Sequence, residues 1–155
     1  MALAARLDPL PAFNFVVQLL DETGALRSVA SFTECAGLES TLDVEEYQEG
    51  GLNDRVHKLP SRFSFSNITL RRGVTLDPQL RLWHQNLLKG ITERRNGLIV
   101  ILDETHVPIV AWRFEGALPV RWLGPSLNAT QSEASVETLE LSIERLEPWL
   151  PGVPL

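Results

Sequence analysis

Apolar residues recur along this chain mostly at every second position, with turn residues between the runs, so the pattern predicts many short strands. In Ala12 to Leu20, Phe13, Phe15 and Val17 share one parity; Asp21-Glu22-Thr23-Gly24 then turns the chain into a second strand, Leu26 to Phe32, at hairpin distance. From Leu38 to Gln48 the alternation is sharp. Leu38, Leu42 and Val44 take one face, and Glu39, Thr41, Asp43, Glu45 and Tyr47 take the other. That predicts a half-buried strand whose acidic face meets water or a basic partner. Glu49-Gly50-Gly51-Leu52-Asn53-Asp54 breaks the pattern, and the stretch to Ser61, with Arg55, His57 and Lys58, has no apolar period. It reads as a long excursion, an extended loop or hairpin of the kind that function or a partner orders.

In Arg62 to Arg72 the parity switches: Phe63 and Phe65 are odd, Ile68 and Leu70 even. A bulge near Ser66-Asn67 explains this, and so does a strand that passes from one packing partner to another. One helix is predicted, from Pro78 to Lys89, with Asp77 as N-cap, Pro78 at the first position and Gly90 closing it. Its apolar face is Leu76, Leu80, Trp83 and Leu87. Leu98-Ile99-Val100-Ile101-Leu102 reads as a strand buried on both faces, and Pro108 to Phe114, Ala117 to Leu123 and Ser135 to Leu146 as further strands. In the last, Leu139, Leu141 and Ile143 alternate with Glu140, Ser142 and Glu144. The fold expected is mainly β: roughly seven or eight strands in a β-barrel of two packed antiparallel sheets, with one flanking α-helix and a long extended loop.

Length and composition fit one domain. The chain has 155 residues, 44% hydrophobic and 22% charged, enough apolar content to bury a core. A formal net charge of -6 argues against a main affinity for a phosphate backbone. A single cysteine, Cys35, excludes an internal disulfide framework and a cysteine-based metal cluster. The apolar runs are short of a membrane span, and the N-terminus lacks the pattern of a signal peptide, so a soluble protein made in the cytoplasm is expected, with no membrane insertion by this chain alone.

No catalytic constellation emerges. His57, His84 and His106 lie on three elements without ligand spacing, so no metal and no cofactor are expected. Cys35 has no local base to activate it. The carboxylates Glu39, Asp43, Glu45, Glu46 and Glu49 sit on a polar face rather than in an apolar pocket. Gly50-Gly51 precedes no helix and is no phosphate-binding loop. Arg71-Arg72 and Arg94-Arg95 carry two charges each without interleaved aromatics, and read as solvated turn charges or salt-bridge partners of the acidic strands. What remains is contact surface: long strands not blunted by proline, which suit head-to-tail rings that stack.

The runs LESTLDVEEYQEGGLNDRVHKLP (Leu38 to Pro60) and NITLRRGVTLDPQL (Asn67 to Leu80), with AWRFEGALPVRW (Ala111 to Trp122) and GPSLNATQSEASVETLELSIERL (Gly124 to Leu146), carry a resemblance. The chain resembles the tail tube proteins of contractile phage tails, in particular the inner tube proteins of extracellular contractile injection systems. The resemblance covers residues 8–147, one tail-tube domain, and leaves 148–155 as an apolar C-terminal tail. It implies hexameric rings whose barrels join into one inner β-wall and stack into a hollow tube within a sheath. It implies as partners the chain itself, the sheath protein, the baseplate hub or spike and neighbouring tube proteins, with protein or nucleic-acid cargo in the lumen, in a phage tail-like particle. Glu49, Gly50, Gly51, Leu52, Asn53, Asp54 and Arg55 then belong to the loop that reaches an adjacent ring. Glu39, Asp43 and Glu45, or Glu140 and Glu144, are the candidate lumen or interface face. Both the repeating subunit and the tube-initiator ring next to the hub are open. From another class, a monomeric β-barrel module binding a ligand or peptide is the alternative; it predicts a pocket and no assembly.

Overall fold

The computed structural model describes residues 14–20, 23–29, 32–51, 54–75, 77–130, 132 and 135–150. Ala12, Phe13, Asp21, Glu22, Ala30, Ser31, Leu52, Asn53, Leu76 and residues 151–155 of the predicted features lie outside them. The described elements are β1 (Phe15–Leu20), β2 (Leu26–Val29), β3 (Glu34–Ala36), β4 (Ser40–Tyr47), β5 (His57–Phe65), β6 (Ile68–Gly73), α1 (Gln79–Leu88), β7 (Arg95–Leu102), β8 (Pro108–Leu123), β9 (Val136–Ser142) and β10 (Arg145–Trp149). All strand pairs are antiparallel.

The body is two packed sheets that share one strand. The first half of β8 lies between β7 and β10, and its second half pairs β9, which pairs β6, which pairs β3. On the other side β7 pairs β1 and β1 pairs β2. The expected strands Pro108 to Phe114 and Ala117 to Leu123 are therefore one strand of 16 residues, bent at Gly116 (φ 67). Among the described residues the strand path runs from β2 to β3 without joining its ends, so the expected barrel is not closed.

Alternation explains the core. Leu139, Leu141 and Ile143 of the β9 segment, Ile68 and Leu70 of β6, Val17 and Leu19 of β1, Ile99 of β7 and Phe114 of β8 meet between the sheets. Leu98 and Val100 point the other way and are buried with Ala111 against Val16, Leu102 and Trp149. The run Leu98 to Leu102 is thus covered on both sides, as its unbroken apolarity predicts. Pro148 and Trp149, the start of the apolar tail, are residues of β10.

Helix α1 lays Leu80 and Trp83 on this core. The Asp77 side chain accepts the Gln79 N–H at 3.1 Å, so it serves the first turn although the helix opens one residue later than expected. Gly90 (φ 82) ends it, with Ile91 N–H donating to the Asn86 carbonyl. The Trp83 indole N–H donates to the Glu93 carbonyl at 2.7 Å, and Arg95 stacks 5.0 Å from its ring.

Among the described residues two charged side chains lie inside. Arg72 and Glu137 face each other across β6 and β9 and form an ion pair at 2.6 Å, with side-chain exposures of 2% and 5%. The Trp122 indole N–H donates to the second Glu137 oxygen at 3.1 Å, and the Arg72 guanidinium lies 5.8 Å from the Phe32 ring. Of the two readings given to Arg71-Arg72, the partner of an acidic strand holds for Arg72, buried rather than solvated.

The β7–β8 turn is built on one exposed carboxylate. Asp103 Oδ1 accepts the Thr105 N–H (2.8 Å) and hydroxyl (2.7 Å) and the Val107 N–H (2.9 Å), and the Thr105 hydroxyl first, then the Val107 amide, holds its carboxyl below the ordinary 3.8. A depressed carboxylate stabilises the fold above the ordinary value and loses that contribution as pH falls through the lowered one. Asp103→Ala should therefore lower the urea midpoint at neutral pH, and the gap to wild type should narrow in acid. A gap independent of pH would contradict this role.

Candidate functional site

Residues 40–65 depart from the sequence expectation. The strand predicted as half-buried, Leu38 to Gln48, is exposed on both faces throughout β4, and its partner β5 is exposed along nearly all of its length. The two form a hairpin that leaves the body and pairs with no other strand among the described residues. The reason is local. Ala36 pairs Thr69 at the edge of the body, and Ser40 pairs Phe65 in the hairpin, four residues on each strand. Thus β3 and β4 run on as one edge, β5 and β6 as its neighbour, and the β4–β5 arm prolongs the β3–β6 ladder into solvent. At the junction Gly37 takes φ 91 and lies against the Asn67 backbone.

The parity switch between Phe65 and Ile68 marks this exit. Phe65 packs against the core, whereas Asn67 and Ser66 turn to the polar side: Asn67 donates to Glu140 at 2.8 Å and Ser66 to Glu39 at 3.1 Å. The switch falls at the break between β5 and β6, where two successive residues, Ser66 and Asn67, take the same side while Phe65, Ile68 and Leu70 share one core. It has a consequence for charge. By alternation from Glu39, Asp43 and Glu45 lie on the face that carries Glu140 on the body, so four of the five candidate carboxylates fall on one polar surface. This surface also holds the pairs Arg71–Glu34 (3.3 Å) and Arg121–Glu140 (4.0 Å). Glu144 stands apart at the corner of the two sheets, where it meets Arg94 at 2.8 Å while Arg94 also donates to the Gly116 carbonyl.

The opposite face of the arm continues the core side outward and shows Leu42, Val44 and Phe63, the last 61% exposed. Nearer the tip Tyr47 and Leu59 are exposed, and His57 Nε2 meets Glu49 Oε2 at 3.3 Å. Gly50, Gly51, Asp54 and Arg55 form the described part of the tip, and Gly51 has φ 106. A two-stranded hairpin is at best marginally stable alone, and this one exposes apolar side chains along its length.

The other chemistry-bearing residues are dispersed. His84 Nδ1 meets the Pro119 carbonyl at 2.8 Å, and His106 Nδ1 lies 3.4 Å from the Asn14 amide. Burial pushes the Cys35 thiol up to about 11. Such a thiol is a poor nucleophile. No group of three or more His, Cys, Asp or Glu among the described residues could hold a metal ion, and no helix among them is long and apolar enough to cross a membrane.

Comparison with known proteins matches this architecture. The model of the T4-like virus tail tube protein gp19 family matches residues 11–147. A chain in the baseplate of the anti-feeding prophage superposes with a TM-score of 0.81 at 29% identity, over 94% of this chain and 99% of that one. A chain of the sheath–tube complex of an extracellular contractile injection system, PVC, in the extended state gives 0.75 at 26% identity, over 91% of each. Hcp1 from Flavobacterium johnsoniae, at 0.52 and 14% identity over 88% of this chain and 94% of that one, shares the fold. No curated protein matches the sequence. With its shared-strand sandwich and a family match over nearly all its length, the chain belongs to the T4-like virus tail tube family, a family of structural tube proteins.

Proposed function

We propose that this structural tail tube protein forms hexameric rings that stack into the hollow inner tube of a phage-like contractile particle, inside its sheath, as the repeating subunit. The observation that carries the reading is the arm: a ribbon continuous with the body, exposed on both faces and apolar along one of them, which a neighbouring subunit would complete. Beyond Ala117 the second half of β8 has a strand on one side only among the described residues, and so has β3. Edges at the two ends of one sheet can pair head to tail, and such an interface closes into a ring.

In this arrangement the polar surface with Glu39, Asp43, Glu45 and Glu140 lines the lumen, through which protein or nucleic acid passes. Glu144, engaged by Arg94, holds the corner of its own subunit. The arm's tip, Glu49 to Arg55, meets the adjacent ring. The sheath and the baseplate hub or spike are the partners, by analogy with the sheath–tube and baseplate complexes that hold the similar chains. The chain is made in the cytoplasm and acts in the assembled particle. A second placement, as tube-initiator ring beside the hub, is favoured by the likeness to a baseplate chain.

The test is negative-stain microscopy of the purified chain over a wide concentration range, with mass by light scattering. Stacked six-fold rings are expected. A monomer at every concentration that also fails to join a particle assembled from its sheath and hub proteins would overturn the proposal. It would point to the monomeric binding module, although the depression beside residues 123–129 is an open groove rather than an enclosed pocket.

A further inference from the structure

The second sheet consists of β3, β6, β9 and the second half of β8, in that order, each strand antiparallel to the next. On its polar face each strand carries one charged side chain: Glu34 on β3, Arg71 on β6, Glu140 on β9 and Arg121 on β8. Register places Glu34 opposite Arg71 and Glu140 opposite Arg121, and all four border one open depression. The sign therefore alternates from strand to strand, as the strand direction does. Because the number of strands is even, the sheet ends in an anion at one lateral edge and a cation at the other. Both outer charges are open to a further partner, with side-chain exposures of 54% for Glu34 and 66% for Arg121. The edges also match in length. β3 offers Glu34 to Ala36. On β8, Pro119 has no N–H, its carbonyl meets His84 Nδ1 at 2.8 Å, and the register shifts at Val120, which leaves Arg121 to Leu123 for pairing.

We infer that Arg121 of one copy pairs with Glu34 of the next on the polar face, where the β8 edge of one subunit meets the β3 edge of its neighbour. The assignment rests on the ring reading and adds to it the contact that selects which edge meets which. A rotation that keeps the polar face on one side sets β8 antiparallel to the neighbouring β3, so both alternations, of direction and of sign, run on across the seam. An edge that met its own kind would bring like charges to the seam, Arg121 to Arg121 or Glu34 to Glu34, and like charges opposite each other destabilise a strand pair. Within one subunit Arg71 and Glu140 occupy the inner sides of Glu34 and Arg121, so the seam supplies the partner that each edge charge lacks on its outer side.

The test is a charge swap read by assembly. Glu34→Lys, Arg121→Glu and the double variant are compared with wild type by the yield of pelletable rings and tubes and by the melting temperature of the unassembled chain. Each single reversal should cut assembly about tenfold and leave the melting temperature in place, since both side chains are more than half exposed. The double variant should return to within about twofold of wild type. Two strands separate the residues within a subunit, so recovery reports a contact between copies. Glu104→Lys, an exposed change of the same size in the β7–β8 turn, is the control and should assemble as wild type does. Normal assembly of both single variants would overturn the seam and leave the ring reading intact, as would losses that the double variant does not recover or an equal loss from Glu104→Lys. A wild-type chain that never assembles, alone or with its sheath and hub proteins, would remove both. Glu34→Gln and Arg121→Gln provide a milder pair should a reversal unfold the chain; assembly undiminished in both would contradict the inference.

Discussion

Arg72→Met should cost about 3–5 kcal/mol, the cost of leaving a buried carboxylate without its cation. Glu137 would keep only the Trp122 indole as donor, at 5% exposure, within a wall of Leu70, Leu80 and Leu139. For a domain of this size that is a fall in melting temperature of roughly 10 °C. Glu137→Leu should cost a similar amount, since it strands the guanidinium, of which one nitrogen already has no partner. The double variant Arg72→Met/Glu137→Leu should recover most of the loss, because a well-packed apolar pair can replace a buried ion pair at little cost. Thermal melts of the four proteins form the cycle. Additive losses would mean that the two residues act through other contacts.

Gly37→Ala should have an effect of comparable size by a different route. The residue holds φ 91, where an L side chain costs about 1–2 kcal/mol, and an added Cβ would collide with the Asn67 carbonyl oxygen. Relief requires the two strands to separate where the arm leaves the body, so the expected total is about 3–5 kcal/mol. Gly50→Ala, whose Cβ meets nothing and whose φ is ordinary, is the control and should change little. Urea unfolding separates them. Equal midpoints for the two variants would remove the steric argument for the junction.

Much of the fold was legible because one face of most strands is covered by the chain itself. Leu98 to Leu102 announced burial on both sides, and Leu139, Leu141 and Ile143 announced the inner face of β9. The same rule misplaces β4. Leu42 and Val44 alternate as core residues do, yet no described residue covers them, and alternation alone does not say what lies over a face. The buried ion pair was visible in the parity: Arg72 continues Ile68 and Leu70, and Glu137 precedes Leu139 and Leu141 on the inward set. Reading Arg71-Arg72 as a unit hid it, because neighbours on a strand point to opposite faces. The carboxylates Glu39 and Glu140 were named as alternatives; only the side chains of Ser66 and Asn67 reveal that they share a surface. The bend at Gly116 looked like a strand end, since glycine and the nearby Pro119 punctuate loops as readily as corners.

The 16-residue strand that serves both sheets also governs how the subunit carries load. Hydrogen bonds in an antiparallel ladder stand perpendicular to the strand. A force directed along β8 therefore shears the bonds to β7, β9 and β10 together instead of peeling them one at a time. Since no loop interrupts the strand between the sheets, an impulse entering one sheet passes to the other through covalent backbone. The strand turns at Gly116, where Arg94 and Glu144 meet at the corner. A load that crosses from one sheet to the other has to turn there with the backbone.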